Sequence, residues 1–306
     1  MQRFYFDHNA TTPMAPEVQA AFSAALGDVF GNASSIHHFG QAAKQKLEVA
    51  RRQVAALLGC ASGEVVFTAG GTEANNLAIL GAARRTTNAH VITTQIEHPA
   101  VLNPCAHLQR EGISVTYARA GASGAVDPND IRAAIRPDTA LISVMHSNNE
   151  TGVIQSVAEI ARIAREAGVP MHVDGVQAAG KIAVNLQNLG VDFYSVSAHK
   201  IYGPKGIGAL YVRKGADLDP IVFGGRHERG RRPGTENVPA AIAFGVAAEL
   251  ASRHDTEPLA ALRDHLEQGI LSHGPEHVCE WKRRENSEHD EYPVRWNRRR
   301  GDVDLA

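Results

Sequence analysis

A lysine that follows a hydrophobic strand and precedes a glycine-rich turn is placed to form a carbon–nitrogen double bond with a carbonyl group. Ser197-Ala198-His199-Lys200-Ile201-Tyr202-Gly203-Pro204-Lys205-Gly206 has that form, with Ser197 and His199 as candidate phosphate contacts beside Lys200. An ordinary solvated turn lysine has the same form. Gly70-Gly71-Thr72-Glu73 follows another apolar stretch. Glycines let a backbone approach an anion, and a helix start offers N–H groups and a positive dipole end; a plain strand-to-helix turn with a threonine cap reads the same. His98, just before Pro99, suits stacking on a flat ring or moving protons, or faces solvent at a helix start. Asn148-Asn149-Glu150-Thr151-Gly152 offers amides to a ring oxygen, or is simply a turn. His172-Val173-Asp174, with Gln177 one turn later, ends an apolar run in a carboxylate. Such a charge needs a partner; a protonated heterocyclic nitrogen would serve, as would a helix start. Arg226 to Asn237 (RHERGRRPGTEN) is an arginine-rich loop open to solvent, phosphate or a subunit interface.

These residues need a scaffold that brings strand ends together, and the pattern supplies one. Residues 39–58 have apolar positions at helical spacing, with Gly59 as a stop. Strands are expected at 64–68, 90–94, 113–118, 140–146 and 169–174, and helices from Thr72 or Glu73 to about Arg84, then at 99–110, 128–135 and 156–167. After Asp174 the order changes: 192–197 and 206–212 read as adjacent strands, and 237–252 and 258–271 as helices. Alternation of this kind predicts an α/β fold, a three-layer αβα arrangement around a mostly parallel sheet. Ligands of such sheets bind beyond the carboxyl ends of the strands, where the residues above all fall.

Composition narrows the classes. The chain has 306 residues, a net charge of −2 and 43% hydrophobic residues, which fits a globular protein. The balanced charge gives no general reason to expect nucleic acid or a membrane as partner. No apolar run approaches the ~18 residues of a membrane span. The start, MQRFYFDHNATTP, has no signal-like run. Cys60, Cys105 and Cys279 are scattered, which argues against a disulfide framework or zinc and for a reducing cytoplasm. Neither GxGxxG nor GxxxxGK[ST] occurs, so the glycines do not suggest dinucleotide or P-loop chemistry.

In order, GGTE, His98, NNETG, HVDG with Gln177, SAHKIYGPKG and RPGTEN form a string. It resembles the fold-type-I pyridoxal-phosphate enzymes of the aminotransferase class V group, and within them the cysteine desulfurases. The likeness starts at YFDHNATTP (5–13), passes through GNASSIHHFG (31–40) and runs to about residue 275. It implies that Lys200 carries pyridoxal 5'-phosphate and that Asp174 pairs with the ring nitrogen. Asn149 and Gln177 would contact the ring oxygen, and His98 would stack on the ring. Gly71, Thr72, Ser197 and His199 would hold the phosphate, which Thr235 would reach from a neighbouring subunit of a homodimer. Lys200 and His98 are the implied acid–base pair. The implied substrate is L-cysteine, converted to L-alanine with a persulfide left for iron–sulfur cluster or thio-cofactor assembly through a scaffold or acceptor protein. Selenocysteine lyase, another class V activity, and a non-catalytic interaction subunit are the alternatives.

Three segments are expected: 1–15 contributing to a small domain, 16–255 as the cofactor-binding large domain, and 256–306 as an incomplete C-terminal small domain with an anomalous tail from about 279. From Glu280 to Ala306, 14 of 27 residues are charged, and both tryptophans, Trp281 and Trp296, fall there. A one-base shift near residue 278 would restore family-like sequence, so a frameshift is expected. The family's sulfur-accepting cysteine and an arginine for the substrate carboxylate correspond to positions beyond residue 306. No catalytic cysteine is assigned, and turnover is expected to suffer.

Overall fold

The computed structural model describes residues 4–253 and 257–272. The chain divides into two units, Met1–Ala260 and Ala261–Ala306. The first contains a seven-stranded sheet in the order β1-β7-β6-β5-β4-β2-β3. The strands are β1 (Val65–Thr68), β2 (His90–Thr94), β3 (Ser114–Ala118), β4 (Thr139–Met145), β5 (Met171–Asp174), β6 (Phe193–Ser197) and β7 (Gly208–Val212). β7 is antiparallel to both of its neighbours, β1 and β6, and the remaining pairs are parallel. Six carboxyl ends therefore share one edge.

Side chains alternate across each strand and so feed two cores. Val66, Val91, Leu141, Phe193, Leu210 and Val212 pack under α3 (Gly71–Ala83) and α4 (Pro99–Arg110). Val65, Phe67, Ile142, Val144, Val173 and Tyr211 face the other way. There they meet α1 (Pro16–Asp28), α2 (His38–Leu58), α6 (Val157–Glu166) and α8 (Val238–Ser252). The short helices α5 (Pro128–Ala134) and α7 (Leu186–Leu189) complete the flanks. α2 buries Ala43, Leu47, Ala50, Val54 and Leu58, the stripe read from its spacing, and stops at Gly59 in the left-handed conformation. α8 comes so close to α2 that a Cβ on Gly245 would lie 2.8 Å from the Ala50 backbone.

The arginine-rich loop is tied to the scaffold. Glu228 is buried, accepts two hydrogen bonds from Arg51 at 2.7 and 2.8 Å, and accepts one from the Phe67 N–H. Arg232 reaches Glu73 at the start of α3 at 2.8 Å. A last helix, α9 (Glu257–Ser272), carries Leu259, Leu262 and Leu266 exposed. Cys279 and the tail from about 279 lie outside the described residues. Among the described residues no helix is long and apolar enough to cross a membrane.

Candidate active site

A cavity of about 200 Å³ opens at the shared carboxyl edge of the strands. Gly71, Thr72, His98, Asn149, Asp174, Gln177, Ser197, His199 and Lys200 all line it. Five stretches spread over the chain thus meet at one point. A wider cleft between α3 and α4 adjoins it and shares Thr72, His98 and Ala100.

Asp174 ends β5 and is buried. Its carboxylate accepts from Asn75 Nδ2 at 2.7 Å and from the Val176 N–H at 3.1 Å. Burial raises its pKa, while those two bonds and the charges of His98 and Lys200 oppose the rise. The turn-capping role open to Asp174 from sequence is therefore realised together with a carboxylate facing the cavity. Lys200 leaves the end of β6 through a short 3₁₀ turn. Its Nζ donates to the carbonyl of Asn9 and, at 2.8 Å, to that of Ala10. Burial lowers its pKa, against the pull of Asp174 and Asp7. It is not a freely solvated lysine.

The phosphate-like corner is built from backbone. Gly70 has φ +155°, which admits the bend between β1 and α3. A Cβ on Gly71 would meet Val176 at 2.7 Å, so the helix start lies tight against the turn after Asp174. Gly70, and not Thr72, occupies the cap position. The first N–H groups of a helix have no partner within it and favour an anion. His98 Nδ1 accepts from the Ala100 N–H at 3.0 Å, leaving Nε2 to carry the proton of the neutral ring. His98 thus starts α4 and lines the cavity as well. The two asparagines divide: Asn148 Oδ1 binds the Glu150 and Thr151 N–H groups as a turn, while Asn149 lines the cavity.

Several residues here lie outside the candidate site residues read from the sequence. Asn9 accepts through its carbonyl from Gln177 Nε2 at 2.8 Å and donates to the Asn149 carbonyl at 3.2 Å. Thr11 Oγ1 lies 3.1 Å from His199 Nδ1, and Thr12 binds the His199 carbonyl. The segment 9–12 therefore anchors to β6 and the turn after it. Asn75 and Lys181 likewise lie outside those candidates, three residues after Thr72 and four after Gln177. Thr235 is exposed and does not line this cavity.

The described thiols stand apart from the site. Cys60 and Cys105 do not line the cavity, and burial pushes both up to about 12. Neither is a thiolate at neutral pH.

The residues fit pyridoxal phosphate. An amine and a buried carboxylate share a cavity with a glycine-opened helix start, with amide and hydroxyl donors between them. A group with an aldehyde, a ring nitrogen and a phosphate has a complement at each position.

The profile of the family "Aminotransferase class-V" matches residues 4–278. A cysteine desulfurase IscS of Dictyoglomus turgidum is 48% identical over 267 residues, covering 86% of this chain and 68% of that protein. A solved NifS-like protein superposes with a TM-score of 0.83 at 37% identity, covering 89% of this chain and 76% of its own. A structure described as SspA in complex with cysteine gives 0.79 at 41%, with 81% and 72% covered.

Proposed function

Because the chain belongs to the class-V aminotransferase family, a family of pyridoxal-phosphate enzymes, we propose that it acts as a cysteine desulfurase, with L-cysteine as substrate and L-alanine as product. The observation that carries this reading is the meeting of Lys200 and Asp174 in one cavity beside the start of α3. When bound, the cofactor supplies an aldehyde that takes up amines and a cationic ring that withdraws electrons from the carbon beside the bound amine.

The chain's own residues do the rest. Asp174, oriented by Asn75 and Val176, keeps negative charge at the buried end of the cavity. Gly71, Thr72, Ser197 and His199 receive the phosphate at the positive end of α3. Asn149 and Gln177 offer amide donors to the ring oxygen, and the His98 imidazole covers one face. Lys200, with its proton affinity lowered by burial, takes the proton from the substrate Cα and returns it, with His98 as second acid–base group.

A thiol must accept the sulfur as alanine leaves. Cys60 and Cys105 are removed from the cavity and protonated, so the acceptor is a thiol other than these two. That observation favours a second reading, in which the chain holds the cofactor without releasing alanine. Residues 16–255 would form the cofactor-binding large domain, with 1–15 and 256–306 belonging to a smaller one. We further propose a homodimer in which Thr235 serves the neighbouring subunit's phosphate, an iron–sulfur scaffold or other sulfur acceptor as partner, and a cytoplasmic setting.

Borohydride reduction of the cofactor-loaded protein should label the peptide containing Lys200, and Lys200→Ala should abolish both the label and the visible absorption band. Label elsewhere would sink the reading. Alanine released from L-cysteine, compared with that from selenocysteine, separates desulfurase from selenocysteine lyase. A Lys200-dependent band with no alanine would establish the second reading.

A further inference from the structure

Lys181 has no part in the scheme above, yet it lies in the same hydrogen-bond chain as Lys200. It sits four residues beyond Gln177, on the turns that follow β5. Its Nζ donates to Gln177 Oε1 at 2.6 Å and to Asn9 Oδ1 at 3.3 Å. Gln177 Nε2 in turn donates to the Asn9 carbonyl at 2.8 Å, and the same carbonyl accepts from Lys200 Nζ.

An ammonium has donors only. With Lys181 in place, Gln177 must turn Oε1 toward it and present Nε2 on its other side. A flipped amide would set N–H against N–H and lose a charge-assisted bond. Gln177 lines the cavity, so Lys181 decides which end of that amide is available there. The ammonium is partly buried, and burial together with the charge of Lys200 pushes it down to about 8. At neutral pH it is still mostly charged, and two cations then share one hydrogen-bonded group.

We propose that Lys181 is a positioning residue for the cofactor: it holds the Gln177 amide with its N–H side toward the ring oxygen. The proposal rests on the pyridoxal-phosphate reading. Lys181 stands on the same hydrogen-bond chain as Lys200, so its donor and its charge act on that nitrogen in the same direction. Losing the donor makes an anionic ring oxygen a better proton partner, and losing the charge removes a repulsion. Asp174 and Asp7 act on Lys200 in the opposite sense, while His98, His199 and Lys205 are the other titratable groups around the pair.

The test is a pH titration of the visible cofactor band in the full chain, with the cofactor dissociation constant measured in parallel. Lys181→Met should raise the pKa of the band by about 1 unit, the low end of the effect of one nearby charge, and weaken retention several-fold. Lys181→Arg, which keeps charge and donors, should stay close to the parent. If Lys181→Met does not fold, Lys181→Gln keeps a donor without the charge, and it should still raise the pKa. Unchanged band pKa in the uncharged variants, with unchanged retention, overturns the proposal while leaving the cofactor reading intact. A parent protein with no band, or one whose band survives Lys200→Ala, brings down both.

Discussion

Asp174 shows how a single residue can be costly alone and useful in company. Without a cationic partner its carboxylate is buried among Asn75, Val176 and Tyr194, and burial raises its pKa. A protonated ring nitrogen turns that cost into an ion pair at a fixed position. Removing one member of a buried pair costs about 3–5 kcal/mol, or a factor of roughly 150 to 4,000 in binding. Asp174→Asn keeps the size and the bond from Val176 but cannot pair with a cation. Its affinity for pyridoxal phosphate should fall ~100-fold or more, measured by equilibrium dialysis, and any alanine release should fall with it. An affinity within about threefold of the parent would mean that the carboxylate does not face the ring nitrogen.

At the scale of elements, buried titratable groups tie the parallel strands together and set how stability responds to pH. His172 on β5 bridges Ser143 on β4 at 2.8 Å and Ser195 on β6 at 3.0 Å, and burial pushes it down to about 3. An unfolded histidine takes its proton near pH 6.5. Between those values the unfolded chain binds more protons, so stability falls as the pH falls, by at most about 1.4 kcal/mol per unit. His90 and His146, also lowered by burial, act in the same sense. Glu97 does the reverse. It follows β2, accepts from Thr94 and the Met145 N–H, and burial pushes it up to about 8. An unfolded glutamate ionises near 4.3, so from there to about pH 8 the folded state holds the extra proton and stability falls as the pH rises. Between roughly pH 4.5 and 6.5 Glu97 offsets His172, and His90 and His146 leave a net rise with pH. Urea midpoints of the cofactor-free protein should therefore be highest near the upper end of that window and fall on both sides. Glu97→Gln should flatten the alkaline limb, and an unaltered limb would refute the assignment. Much of this framework was legible in advance, because β1 to β6 are short apolar runs and α2, α4 and α6 keep a buried stripe. α1 was not, since only Val18 and Ala25 are buried and the rest of its pattern is diffuse. Nor was the insertion of β7 between β1 and β6, which depends on pairing across 140 residues or more of chain. The same holds within the site. Residues that directly follow strands announced themselves, whereas Asn9 meets Lys181 across 172 residues through hydrogen bonds that no local pattern encodes.

At the scale of the molecule, the surface is less finished than the core. Phe30 and Phe39 are exposed by 73% and 55%, their ring centroids lie 5.1 Å apart, and Ile36 between them in sequence is 94% exposed. The fold closes this segment tightly: a Cβ on Gly31 would lie 2.3 Å from the Phe39 carbonyl. Clusters of this kind mark contact surfaces, and the proposed homodimer would place a second copy of the chain there. Thr235 is exposed and away from its own cavity. The protein should therefore sediment as a dimer, and the double substitution Phe30→Asp with Phe39→Asp should yield a monomer at the same concentration. If Thr235 reaches across to the neighbouring phosphate, that monomer should also retain pyridoxal phosphate more weakly, and Thr235→Ala should weaken retention in the dimer while leaving the monomer unaffected. Analytical ultracentrifugation with absorbance at the cofactor band reads mass and occupancy together. A parent that sediments as a monomer, or a doubly charged variant that remains dimeric, places the interface elsewhere.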